Sequence, residues 1–288
     1  RTTPIRKRPI DWPMRDRWDT MAKAYAPRMK HICMFSGGIG SWATAKRVVE
    51  KHGPEDVTLL FTDTLIEDDD LYRFLDEAAA NVGAELVRIQ EGRDPWEVFR
   101  DVRFIGNTRA DPCSLHLKRV PLDNWLEENC DPAKTICYIG IDFTEEHRFT
   151  RLRKRKAEQG WTYEAPLCEP PYMMKPAMLE WLVEEGIEPP RLYSQGFAHN
   201  NCGGFCIKSG HGNFANLLKH HPERYAHHEA KELEMREYLD ADVAILRDRR
   251  GGETVPMTMK TFRERIEAGH QPDLFDIGGC GCMVDDHG

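Results

Sequence analysis

Two groups of residues in this chain have the types and spacing to do chemistry. Residues 35 to 41, Phe-Ser-Gly-Gly-Ile-Gly-Ser, follow a short apolar run (Ile32, Cys33, Met34, Phe35) and precede a helical pattern that begins near Trp42. Such a strand-to-helix turn lets the backbone N–H groups of Ser36, Gly37, Gly38, Gly40 and Ser41 approach an anion at a helix N-terminus, where the helix dipole also favours negative charge. No Lys follows the glycines and the spacing is not G-x-G-x-x-G, so the turn is neither of the two common nucleotide loops. The plainer alternative is a glycine-rich turn that binds nothing. The second group is cysteine. Cys202-Gly-Gly-Phe-Cys206 and Cys280-Gly-Cys282 are both set among glycines, which let the backbone turn tightly enough for two thiolates to face one centre, as zinc and iron–sulfur sites require. Spacing alone permits a four-cysteine zinc site made of Cys202, Cys206, Cys280 and Cys282.

The elements that must position these groups follow from periodicity. Residues 57 to 62 (VTLLFT) form a short apolar run bounded by Gly-Pro and Asp, the pattern of a buried parallel strand. Helical spacing follows over residues 68 to 81, a third strand over 85 to 89, and a helix over 95 to 102. Another helix runs from Pro121 through Trp125 and Leu126, and a fourth strand covers 135 to 141. Strands alternating with helices at this pitch predict an α/β fold with a doubly wound parallel sheet. Beyond about residue 165 prolines punctuate the chain, and helices are predicted over 176 to 185, 213 to 239 and 257 to 268. The predicted organisation is an N-terminal arm (1–30), a nucleotide-binding domain (31–165) and a helical, Cys-rich C-terminal region (166–288).

Composition narrows the class. A chain of 288 residues can bury a substantial core. A formal net charge of −8 disfavours general attraction to nucleic acid. The basic runs 1 to 8 and 147 to 156 read first as a solvated tail and a solvated helix face. No apolar stretch approaches the length of a membrane span, and the expected location is cytoplasmic. Nine cysteines in a reducing compartment argue for metal ligation over disulfides. Cys33, Cys130, Cys137 and Cys168 read as buried or incidental. No histidine is assigned as a ligand, although several crowd the region after Cys206.

Four segments, in order, resemble the sulfonucleotide reductases (adenylyl-sulfate and phosphoadenylyl-sulfate, or PAPS, reductases) and the wider PP-loop ATP-pyrophosphatase superfamily. They are the Ser-Gly-Gly-x-x-Ser loop at 36 to 41; FTDT at 61 to 64 followed by LYRFL at 71 to 75; CSLHLKRVPL at 113 to 122; and PRLYSQGFAHNNCGGFC at 190 to 206. Together they span roughly residues 32 to 206. The resemblance implies an adenine nucleotide alpha-hydrolase-like fold in which the loop grips the phosphates of ATP, Thr62, Asp63 and Thr64 line the adenosine pocket, and Gly140 with Arg148 belongs to a segment closing over the nucleotide. It makes Lys118 a phosphate or sulfate contact; a helix-surface cation is the alternative. Many relatives have Asp where this chain has Gly40, which removes a side chain that could meet Mg²⁺.

The same resemblance favours a 4Fe–4S cluster over zinc. Cys113 matches the first of two adjacent cysteines, Ser114 replaces the second, and Cys202 and Cys206 match the later pair; a fourth ligand would be Cys280 or Cys282, or the position stays open for sulfide. Two chemistries are implied. In one, an acceptor attacks the α-phosphorus of ATP, pyrophosphate leaves, and sulfur displaces the adenylate. In the other, a cysteine thiolate, Cys280 or Cys282, attacks a sulfonucleotide and sulfite is released. The family's tail motif for that second step is absent here and the paired glycines are kept, so ATP-dependent sulfur transfer is preferred. A noncatalytic nucleotide or redox sensor is a third reading. Expected partners are the nucleotide, a sulfur or electron donor, an acceptor that could be tRNA or DNA, and a further copy in an oligomer; no membrane is expected.

Overall fold

A computed structural model describes residues 28–106, 110–249, 253–272, 276 and 278. Five parallel strands form the central sheet: β1 (Lys30–Met34), β2 (Val57–Asp63), β3 (Glu85–Gln90), β4 (Thr135–Tyr138) and β5 (Thr162–Glu164), in the order β3-β2-β1-β4-β5. Alternation along each strand divides its side chains between two faces. Cys33, Phe35, Leu59, Phe61 and Tyr138 pack on one face with helices α1 (Ile39–His52) and α2 (Asp69–Val82). Ile32, Met34, Leu60, Cys137 and Tyr163 pack on the other with α4 (Val120–Asn129) and α5 (Glu146–Glu158). Both faces are covered, which is why β2 reads as an uninterrupted apolar run.

The predicted doubly wound sheet is therefore present, with three differences. β5 was not predicted: it is three residues long and too short to show a period. β4 ends at Tyr138, short of the predicted residue 141, its last bond to β5 running from the Ile139 N–H to the Glu164 carbonyl at 3.0 Å. The C-terminal region is not helical alone, since β6 (Leu246–Asp248) and β7 (Val255–Met257) make an antiparallel pair.

A third core joins the two halves of the chain. Trp96 and Phe99 of α3 (Pro95–Asp101) pack with Phe205, Phe214 of α7 (His211–His220), Tyr225 of α8 (Pro222–Leu239) and Phe262 of α9 (Met259–Glu267). A further helix, α6 (Lys175–Glu184), lies against α1, with Met178 and Leu182 in the first core. Strand order reverses between β1 and β4, and in open α/β sheets the crevice at the carboxyl ends of such a pair is where ligands bind. Among the described residues no helix is long and apolar enough to cross a membrane.

Candidate functional site

The glycine turn lies at that carboxyl edge. Gly37 has φ +75°, a conformation that favours glycine, and a Cβ there would sit 2.9 Å from Leu71 Cγ. Gly40 and Gly140 meet back to back: a Cβ on Gly40 would stand 2.8 Å from the Gly140 carbonyl oxygen, and one on Gly140 would stand 2.7 Å from the Gly40 carbonyl carbon and the Ser41 nitrogen. This contact gives a physical reason for glycine at position 40. The turn is also held from the far half of the chain. Tyr193 Oη accepts from the Ile39 N–H at 3.0 Å, and Asn200 Nδ2 donates to the Gly37 carbonyl at 2.7 Å. Ser41 Oγ donates to the Gly38 carbonyl at 2.7 Å, so this hydroxyl braces the turn.

Two adjoining cavities, about 150 and 180 Å³, share Ser36, Gly140, Glu145, His199 and Asn201. Together they match the lower end of small-ligand sites, roughly 300–1,000 Å³. The first adds Thr62, Lys118 and Arg148; the second adds Gly38, Gly40, Ser41 and Lys175. A larger cavity, about 600 Å³, lies between β6 and α9. Its Arg265 is paired with Asp248 and its Arg247 donates to the Ala244 carbonyl. It holds none of the glycine turn, and the strand-edge cavities are the better site.

Lys118 lies in a five-residue π-helical stretch, Leu115–Arg119, a distortion that recurs at functional sites. It is only 6 % exposed. Its ammonium stands 3.6 Å from Glu67 Oε1 and 3.8 Å from Cys202 Sγ. Burial raises the pKa of Glu67, opposed by Lys118, by the Thr64 hydroxyl and by the Cys202 N–H that Glu67 accepts. Lys118 thus faces the cavity on one side and a thiol on the other.

The turn from Cys202 to Cys206 is fastened at each residue between them. Cys202, Gly203 and Gly204 all have positive φ. Arg224 Nη1 donates to the Gly203 carbonyl at 2.7 Å and to Asp68 at 2.9 Å, and Asn213 Nδ2 donates to the Gly204 carbonyl at 2.7 Å. Phe205 stacks on His228 with centroids 3.7 Å apart, and His228 Nδ1 accepts from Trp96 Nε1 at 3.0 Å. Burial first, then the neighbouring His227 and Arg224, pull the His228 pKa down to about 3, so the ring is neutral and able to accept.

The expected residues divide as follows. Ser36, Gly38, Gly40, Ser41, Thr62, Lys118, Gly140 and Arg148 line the joined cavities, and Gly37 shapes the turn. Asp63 and Thr64 do not line them. Asp63 accepts from Tyr72 Oη at 2.9 Å and from the Leu65 N–H at 2.8 Å, while buried Thr64 donates to Glu67 at 2.8 Å. Asp68 caps α2. Cys113 packs against the third core. Among the described residues no group of three or more His, Cys, Asp or Glu side chains is arranged to hold a metal ion, so the expected set of Cys113, Cys202 and Cys206 is not assembled by them. Cys280 and Cys282 lie outside the described residues. Of the carboxylates on the cavity wall, Asp142 accepts from the Thr144 N–H and Glu145 pairs with Arg148. Burial raises the thiol pKa of Cys33, of Cys137 to about 12 and of Cys168 to about 11, in keeping with inert positions.

Glu67 and Lys175 carry no assignment from sequence, and Tyr193, His199, Asn200 and Asn201 fall within the segment 190 to 206 without being given a role of their own. The run Phe-Ala-His-Asn-Asn at 197 to 201 could have suggested three of them, because it leads into the cysteine turn.

No protein-family model matches the chain, and no curated protein sequence matches it. Solved structures are similar to it, two of them as follows. The phosphoadenylyl-sulfate (PAPS) reductase from Candida auris, in a phosphate complex, is 14% identical over 65% of this chain and 87% of its own, with a TM-score of 0.40. The NH3-dependent NAD synthetase from Campylobacter jejuni is 10% identical over 78% of this chain and 89% of its own, with a TM-score of 0.39. These are distant likenesses, and the functional reading rests on the geometry of the site.

Proposed function

We propose that this chain is a PP-loop-type enzyme that binds an adenine nucleotide on the glycine turn and uses ATP to activate an acceptor for sulfur transfer. The observation that carries this reading is that Ser36 and Lys118 line one cavity while the Lys118 ammonium stands 3.8 Å from Cys202 Sγ. A nucleotide whose phosphates lie on the turn would direct its reactive end at a cation flanked by a thiol. An acceptor oxygen attacks the α-phosphorus and pyrophosphate leaves; hydrosulfide then attacks the activated carbon and displaces AMP, which departs with that oxygen. Turn N–H groups and Lys118 stabilise the charge that builds at the phosphorus.

Pyrophosphate release from ATP, with sulfide and with tRNA or DNA supplied as acceptor, tests the reading. Lys118→Met is expected to lower the rate by about 10²–10³-fold, as loss of one charge-stabilising donor does. Sulfite release from adenylyl sulfate without pyrophosphate formation would instead favour a sulfonucleotide reductase, a second reading supported by the same thiol beside the cavity. Bound nucleotide with neither product would leave a sensor. A nucleic-acid acceptor is supported by α5, which begins at the cavity wall and exposes Arg151, Arg153 and Lys154; affinity that falls steeply with salt would bear it out.

A 4Fe–4S cluster or a zinc ion belongs to this reading only through the tail cysteines. Gly278 pairs with Ser209 and the Gly212 N–H donates to the Asp276 carbonyl at 2.9 Å, so the chain two residues before Cys280 passes close to the cysteine turn. Iron, sulfide and zinc analysis of anaerobically purified protein reads this directly, and no step above passes through such a group.

A further inference from the structure

The cavity beside the glycine turn has a charged wall to which the proposed chemistry assigns no task. Lys175, the first residue of α6, lines it together with Gly38, Gly40, Ser41 and Asn200. Its ammonium donates to the Ala198 carbonyl at 2.5 Å and stands 3.9 Å from the centroid of the Tyr193 ring. The Tyr193 hydroxyl accepts from the first N–H of α1, so the Lys–Tyr pair is fixed to the end of the glycine turn. Among the described residues Lys175 has no carboxylate partner, and burial alone pulls its pKa down to about 8. Keeping a half-buried ammonium without a counter-ion costs free energy, which an arriving anion would offset.

Asn200 gives an independent sign of a missing occupant. It is 2 % exposed, its amide nitrogen is committed to the Gly37 carbonyl, and its Oδ1 is buried with no hydrogen-bond partner. Buried polar atoms are almost always satisfied, so an unsatisfied acceptor on a cavity wall points to a donor brought from outside. A nucleoside di- or triphosphate supplies both requirements, anionic oxygens for Lys175 and ribose hydroxyls for Asn200.

Resting on the nucleotide reading above, we propose that Lys175 is the cation of an oligophosphate subsite on the glycine turn, delivered from α6 where the turn itself has no Lys. The turn supplies N–H groups and shape; the far half of the chain supplies charge.

The test is calorimetric binding of ATP, inorganic pyrophosphate and adenosine to the full chain, comparing wild type with Lys175→Met and Lys175→Arg. Because a hydrogen bond to a charged group contributes enough for about tenfold or more in affinity, Lys175→Met should weaken ATP and pyrophosphate by at least that factor. Adenosine affinity should stay within about twofold, and Lys175→Arg should keep most of the ATP affinity because the charge is retained. Equal ATP affinity in wild type and Lys175→Met overturns the proposal. Should Lys175→Met lose adenosine as well, wild type alone decides. Because partial burial lowers the Lys175 pKa and an arriving anion would raise it again, ATP, whose own phosphates are ionised at pH 8, should bind wild type with more proton uptake than Lys175→Arg, whose guanidinium is always charged; equal uptake in the two overturns the proposal. Failure of wild type to bind either ATP or pyrophosphate would instead remove the nucleotide reading itself.

Discussion

The two ends of the sheet both bury polar side chains, and they treat them differently. At the amino end His31 Nδ1 meets Tyr138 Oη at 2.8 Å, Tyr138 Oη meets His52 Nε2 at 3.5 Å, and the two imidazoles stack 3.8 Å apart. Each ring there answers another, and the cluster closes on itself. At the carboxyl end Asn200 Oδ1 is left without a donor and Lys175 without a counter-ion. The Trp96–His228–Phe205 stack beneath the cysteine turn resembles the amino end, being internally complete. Burial of polar groups therefore does not distinguish structure from site in this fold, and neither does a single unsatisfied atom, since Thr44 in α1 also buries a hydroxyl without a partner; an unsatisfied acceptor and a cation without a counter-ion on one cavity wall do.

The contrast can be broken most forcefully at Gly140. A methyl group there would press on the Gly40 and Ser41 backbone at 2.7 Å. Overpacking costs about 1–3 kcal/mol, so Gly140→Ala should lower ATP affinity by about tenfold or more. Titration calorimetry measures this, and unchanged affinity would show that the two loops need not touch.

The stack beneath the cysteine turn makes a pH prediction. The folded-state pKa of His228, about 3, lies below its ordinary value of 6.5. The unfolded chain takes up the proton first as pH falls, so the stability from a neutral His228 is present above about pH 6.5 and drains away toward the folded pKa. Urea midpoints at pH 7 and pH 4.5 should therefore fall further for wild type than for His228→Phe, which cannot be protonated. Parallel losses in the two proteins would remove His228 as the source.

The smallest effect belongs at the amino end. Tyr138→Phe deletes the hydroxyl shared by His31 and His52 and should cost about 1 kcal/mol of stability. ATP affinity should not move, and a change in it would deny that the two ends are independent.

Much of this was legible in the sequence because it is local. The glycine turn and the strand before it lie in one short stretch, and the alternation of strands and helices gave the sheet up to β4. What was missed depends on partners the chain brings from elsewhere. Asp63 and Thr64 sit at a strand end as expected, yet Tyr72 and Glu67 capture them, and nothing in the letters FTDT reveals that. Lys175 is a single Lys before a Pro, with no pattern to mark it; only folding carries α6 to the turn. β5, β6 and β7 are each three residues long, too short for periodicity to detect. Gly40 read as a loss from the sequence, whereas the contact with Gly140 gives it a packing role.

The most direct measurement is a structure of the full chain with a non-hydrolysable ATP analogue bound. The phosphates should lie on residues 36 to 41 within reach of Lys175, with the α-phosphorus turned toward Lys118 and Cys202. Nucleotide seated instead in the cavity between β6 and α9, or with its phosphates turned away from the glycine turn, would contradict the assignment of the site.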